Sequence, residues 1–184
     1  VERRLTTEEA YQLFDRGQLF GSGLVNTLAD KKPVIGVVGH PYILYDTVSL
    51  DILKRVRQYG PVLTAEMVSP EITRKEIDSI AEGERLWSFE AQVLGAALHF
   101  LRHHLVDRLI LVGSFECGPE SIIESYVEEE ARRQGIPFLL LTLDEHTGEA
   151  GLLTRIEAFM DVAPERRPEV QVPAAPLSQR SVPG

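Results

Sequence analysis

Leu109-Ile110-Leu111-Val112-Gly113-Ser114 runs directly into Phe115-Glu116-Cys117-Gly118-Pro119. Four successive apolar residues, two of them β-branched, read as a strand buried on both faces. Gly118-Pro119 then reads as a helix start, because proline fits a first helical position, where its missing N–H costs nothing. Pro119 to Gln134 supplies that helix. A buried strand that turns at once into a helix is the βα unit of a parallel sheet.

The same unit recurs on either side. Val34-Ile35-Gly36-Val37-Val38 is a second continuous apolar run. Residues 49–59 follow it as a helix with Leu50, Leu53 and Val56 on one face. Val62-Leu63-Thr64-Ala65 is a weaker strand, and Ser69-Pro70-Glu71 opens a short polar helix over 70–81. Residues 87–105 form the longest helix, with Trp87, Ala91, Leu94, Leu98, Leu101 and Leu105 at helical spacing. Gly135-Ile136-Pro137 punctuates the chain before the strand Phe138-Leu139-Leu140-Leu141, and residues 149–161 form the last helix. The pattern predicts an α/β fold: a four-stranded parallel sheet with helices on both faces, Rossmann-like or flavodoxin-like, in three layers. Strands near 34–38, 62–65, 109–113 and 138–142 are expected in the order 2-1-3-4.

Outside this core the pattern changes. Thr6-Thr7-Glu8-Glu9 can cap a helix, and Tyr11, Leu13, Phe14 and Phe20 give it an apolar face, so 1–32 reads as a helical lead-in. The α/β domain spans 33–162. The tail 163–184 holds Pro164, Pro168, Pro173, Pro176 and Pro183 without periodicity and reads as extended or disordered.

Composition narrows the function classes. The 184 residues carry 19 basic and 28 acidic side chains, a net charge of −9. No concentrated basic surface is offered to a phosphate backbone, so nucleic acid is not an expected partner. The apolar runs are too short to cross a membrane, and no secretory signal opens the chain. Cys117 is the single cysteine, so no intrachain disulfide forms, which suits a reducing cytoplasm. One cysteine also leaves the chain unable to complete a multi-cysteine metal site by itself.

Ligands of open parallel sheets bind at the carboxyl ends of the strands, near a topological switch point. Four loops meet that condition: Gly39-His40-Pro41-Tyr42 to Tyr45-Asp46, Glu66 to Ser69, Gly113 to Pro119, and Asp144 to Glu149. Cys117 sits at a helix N-terminus, where a thiol is readily a thiolate, either a metal ligand or a nucleophile; it can equally be a small residue packing a tight turn. His146 stands between Glu145 and Thr147, with Glu149 close behind. Neighbouring carboxylates can orient such a histidine, or Thr147 can cap the helix with Glu149 in its acidic first turn. His40 is a possible base or merely closes its loop. His99, His103 and His104 lie on the 87–105 helix without a metal-type partner in sequence, and a surface or packing role is expected. The glycine fingerprints of nucleotide sites are missing, so independent ATP or NAD binding is not supported.

At these loops the chain resembles a known family. Val34-Ile35-Gly36-Val37-Val38-Gly39-His40-Pro41-Tyr42 with Tyr45-Asp46 is similar to the "GHPY–YD" segment of acyl-CoA dehydratase activase-related proteins, which belong with the D-component family of 2-hydroxyacyl-CoA dehydratases. Trp87-Ser88-Phe89-Glu90 with Leu94-Gly95-Ala96-Ala97 resembles their central helix, and Ser114-Phe115-Glu116-Cys117-Gly118-Pro119-Glu120-Ser121 their cysteine segment. Asp144-Glu145-His146-Thr147-Gly148-Glu149-Ala150-Gly151, with Thr154-Arg155-Ile156-Glu157-Ala158-Phe159 and Asp161, resembles their "DEHTGEAG…TR-EAF-D" block. The likeness covers about residues 33–161.

The resemblance implies two related α/β halves around a [4Fe–4S] cluster, of which this chain is similar to the C-terminal one. Cys117 would then be one cluster ligand, and His40, Glu145, His146 and Glu149 the catalytic candidates. The implied partners are a cysteine-bearing N-terminal half, an ATP-dependent activator that delivers electrons, and an acyl-CoA substrate. No cluster is expected on this chain alone. Two other readings stay open: a thiol enzyme with Cys117 as nucleophile and His40 or His146 as base, oriented by Glu145 or Asp144, and a non-catalytic docking domain. The topology predicts that Cys117, His40 and His146 converge on one cleft.

Overall fold

The computed structural model describes residues 32–45, 50–80, 86, 88–114, 118–144 and 147–162. The lead-in, the proline-rich tail, Cys117, Glu145 and His146 lie outside the described residues.

The sheet has the expected strands and order. β1 (Ile35–Gly39), β2 (Val62–Thr64), β3 (Arg108–Ser114) and β4 (Phe138–Leu143) line up as β2-β1-β3-β4. All three pairings are parallel, with Ile35 opposite Val62, Gly39 opposite Val112 and Leu109 opposite Phe138. The helices are α1 (Pro41–Leu44), α2 (Ile52–Val56), α3 (Pro70–Asp78), α4 (Ser88–Arg102), α5 (Gly118–Gln134) and α6 (Glu149–Asp161).

Alternation along each strand divides the core in two. Val38, Leu109 and Leu111 face Leu94, Leu98, Phe100 and Leu101 of α4 and Ile123 and Val127 of α5. Ile35, Val37, Ile110 and Val112 face Ile43 of α1, Ile52 and Val56 of α2, and Leu152 and Ile156 of α6. Strands buried on both faces are why their sequence is apolar without alternation.

The amino edge of the sheet is clasped by charged residues. Val34 N–H donates to Asp107 Oδ2 at 2.6 Å and Asp107 N–H to Val34 O at 2.7 Å. The buried Arg108 guanidinium donates through Nη1 to Phe159 O at 2.7 Å and lies 5.7 Å from the Phe159 ring centre. It thereby ties the last turn of α6 to the start of β3.

Several elements depart from the periodicity, and the polar helix expected over 70–81 ends at Asp78. The helix expected over 49–59 shrinks to Ile52–Val56. Leu50 and Asp51 hold φ of 50° and 60°, a left-handed entry that no helix can run through. At its far end Gln58 and Tyr59 bond back only three residues, in tight turns. The strand expected to reach Ala65 stops at Thr64, and Ala65–Met67 winds into one 3₁₀ turn. Pro41 starts α1, a four-residue helix too short to carry a periodic signal.

The long helix stops at Arg102 rather than at residue 105. His104 N–H bonds Leu101 O and Leu105 N–H bonds Phe100 O, the paired C-terminal bonds of a Schellman motif. α5 ends the same way, with Gly135 N–H to Arg132 O and Ile136 N–H to Ala131 O. The residue in the left-handed position is glycine in one (Gly135, φ 66°) and histidine in the other (His104, φ 49°). A side chain there costs about 1–2 kcal/mol, offset in part by about 0.4–1 kcal/mol of extra chain entropy when glycine replaces it. His104→Gly is therefore expected to stabilise the fold by roughly 1 kcal/mol, read as a raised urea midpoint with unchanged slope. A midpoint equal to or below that of the parent chain contradicts this account.

Candidate functional site at the carboxyl edge

The strand order reverses between β1 and β3, so the carboxyl ends of these two strands form the switch point. A shallow crevice opens there, a cavity of about 10 Å³ lined by Gly39, His40, Gly113, Val93 of α4, and Ile123 and Glu124 of α5. It is smaller than the ~300–1,000 Å³ of a drug-sized ligand site. Its walls admit about one water-sized group and not a nucleotide or an acyl-CoA.

His40 is the residue that the fold commits to this point. It follows β1 directly, and its extended backbone hands the chain to α1. Its ring is buried, at 3% exposure, and Nε2 stands 3.8 Å from Oε1 of Glu90, which is buried in the first turn of α4. Tyr42 stacks on the ring at 5.1 Å, and Phe89 meets it edge-on at 6.0 Å. Tyr42 and Phe89 are themselves largely exposed, so a buried imidazole lies beneath an aromatic rim. This arrangement sets the imidazole beside a carboxylate while keeping water from the ring.

Tyr45 ties the first loop to the second. Its hydroxyl donates to Glu66 Oε2 at 3.2 Å and lies 3.4 Å from Thr64 Oγ1. Burial pushes the phenol pKa up, and the Glu66 charge adds to the shift, so Tyr45 stays protonated at neutral pH. Burial likewise raises the Glu124 carboxyl in the crevice wall.

The remaining expected site residues divide. Glu149 opens α6 at the far side of the fourth loop and is ion-paired with Arg55 of α2. Thr147 does not cap that helix; Gly148 occupies the cap position. Thr147 Oγ1 instead accepts from Asp144 N–H at 2.8 Å and donates to Asp144 Oδ1 at 2.7 Å, closing the loop on itself. Cys117, Glu145 and His146 fall outside the described residues, and with them the expected three-way convergence. Cys117 belongs to the link between Ser114, the last residue of β3, and Gly118, the first of α5.

Two carboxylates escaped the sequence. Glu90 lies fifty positions from His40 and stood in the sequence only as part of the segment Trp87 to Glu90, with no site role assigned. Glu76 supplies the partner that the helical histidines lack in sequence: its Oε1 is 3.3 Å from His99 Nδ1 and 3.2 Å from His103 Nε2. Burial works to raise the Glu76 carboxyl. Hydrogen bonds from Arg102, His99 and His103 outweigh it and hold the pKa below the usual carboxylate range.

Among the described residues no helix is long and apolar enough to cross a membrane. No protein-family model and no curated protein matches the chain.

Proposed function

We propose that the carboxyl edge of β1 and β3 is the working face of an iron–sulfur component like that of the 2-hydroxyacyl-CoA dehydratases. The observation that carries this reading is His40, buried at the switch point beside buried Glu90 and beneath exposed Tyr42 and Phe89. A sealed imidazole beside a carboxylate suits a site where a radical or low-potential electron must be kept from water. Cys117 follows three residues after Ser114, the last residue of β3.

The chain fits one corner of such a cluster and not the whole of it. A [4Fe–4S] cluster takes four thiolates in its usual form, and this chain holds one cysteine. The other ligands would come from a cysteine-bearing half. An ATP-dependent activator would supply the electrons, and an acyl-CoA thioester is the substrate class. The crevice is too small for an acyl-CoA, so the thioester would bind outside it, over its mouth. When bound, the cluster supplies one-electron chemistry. This chain's own part is to exclude water and to orient His40 beside Glu90.

The test is iron and sulfide analysis of the assembly purified anaerobically with its cysteine-bearing partner. Cys117→Ala is expected to lose cluster iron, whereas His40→Gln keeps iron and loses substrate reduction. If Cys117→Ala abolishes turnover while iron content is unchanged, the cysteine is a nucleophile and the cluster reading fails.

A further inference from the structure

On the face of the sheet that carries α3 and α4, these two helices come unusually close. A Cβ added to Gly95 of α4 would stand 2.6 Å from Thr73 O of α3, so only glycine permits the approach. One turn further along each helix, that approach brings Glu76 level with His99. His103 lies four residues beyond His99 on the same face, and its N–H bonds His99 O at 3.2 Å, extending the helical turn to it.

We propose that Glu76, His99 and His103 form a divalent-cation site of zinc type that fastens α3 to α4. The three ligand atoms lie within 4.8 Å of one another. Glu76 Oε1 stands 3.3 Å from His99 Nδ1 and 3.2 Å from His103 Nε2. Charge-assisted N–H···O bonds are shorter, about 2.7–2.9 Å. The observed separations are long for such bonds and are close to the roughly 3.4 Å between neighbouring ligands of a tetrahedral ion with bonds near 2.1 Å.

The surroundings fix the carboxylate in the required pose. Its second oxygen, Oε2, accepts from Arg102 Nη1 at 2.9 Å, and Arg102 Nε in turn stands 3.5 Å from Glu130 Oε2. Glu76 is thus turned with one oxygen to the guanidinium and the other to the two imidazoles. Outer partners of this kind set the orientation of metal ligands. Two imidazoles and one carboxylate suit zinc; calcium and magnesium favour oxygen throughout. The His103 side chain is 56% exposed, which gives the ion an entry path and leaves a fourth position for water. This site is on the helical layer and is independent of the function proposed for the sheet edge.

The test uses the full chain and cobalt(II), a spectroscopic stand-in for zinc. The parent chain is expected to bind one cobalt with the visible absorption of a tetrahedral site, and zinc is expected to displace it. His103→Asn alters a largely exposed side chain and leaves the helix packing intact. It is expected to weaken binding by more than the roughly 10- to 100-fold typical of losing an outer partner, which is the effect expected of Arg102→Gln. His99→Asn combined with His103→Asn removes the spectrum. Binding must persist in Cys117→Ala and in His146→Asn, which separates this site from the loops at the sheet edge. Cobalt affinity unchanged in His103→Asn, or no cobalt bound by the folded parent chain, overturns the proposal.

Discussion

Phe100→Ala is expected to destabilise the domain by about 3–5 kcal/mol, the usual range for removing a fully buried phenylalanine. Phe100 has no exposed surface. It lies under β1, 3.5 Å from where a Cβ on Gly36 would stand, among leucines and valines of α4, α5 and β3. None of these neighbours can fill the void without leaving its own contacts, so the cavity remains and adds to the lost transfer free energy. Domains of ordinary stability hold about 5–15 kcal/mol in total, so this one change consumes a large share. Urea unfolding should show the midpoint falling with its slope retained. Phe89→Ala is the matched control. Phe89 is 57% exposed in the aromatic rim, and its loss should leave the midpoint nearly unmoved. Equal shifts for the two variants would mean that the packing described for α4 is wrong.

Gly39→Ala is the second large effect, and it strikes the site directly. An added Cβ would lie 2.4 Å from Val112 O, a backbone atom of the adjoining strand. A backbone oxygen held in a ladder cannot step aside, so β1 and β3 must separate at their carboxyl ends. Overpacking of this kind costs about 1–3 kcal/mol or somewhat more. Gly36→Ala offers the comparison within the same strand. Its nearest obstacle at 2.6 Å is the tip of the Leu109 side chain, which can rotate. Gly39→Ala should therefore cost more than Gly36→Ala, and it alone should speed amide exchange at Val112 and Gly113. A smaller loss in Gly39→Ala than in Gly36→Ala would contradict the close strand approach at the crevice.

The strands were legible because each carries a whole signal in consecutive residues. Leu109 to Val112 can only be a buried strand in a chain of this polarity, and the helix that follows each strand fixes the parallel order. Short elements were not legible. Four residues from Pro41 to Leu44 complete one turn and show no periodicity, so only the proline marks them. The left-handed Leu50 and Asp51 carry no glycine to announce the late start of α2. At the site, His40 was readable from its position after an apolar run. Its partner Glu90 was not, since the pair is joined by packing and by no spacing rule. The same holds for Glu76, which meets His99 and His103 only because Gly95 lets two helices close on each other. Their four-residue spacing was in plain view, yet the third ligand comes from another helix.

The clasp at the amino edge has a consequence for how this domain can be joined to others. Residue 34 enters the sheet against Asp107, and Phe159 leaves it against Arg108, so both described ends stand at the same rim. His40 and the crevice stand at the opposite rim. The seven residues of β3 separate the two by about 20 Å at ~3.3 Å per residue. A group attached directly beside Val34 or Phe159 therefore starts from the rim opposite the crevice.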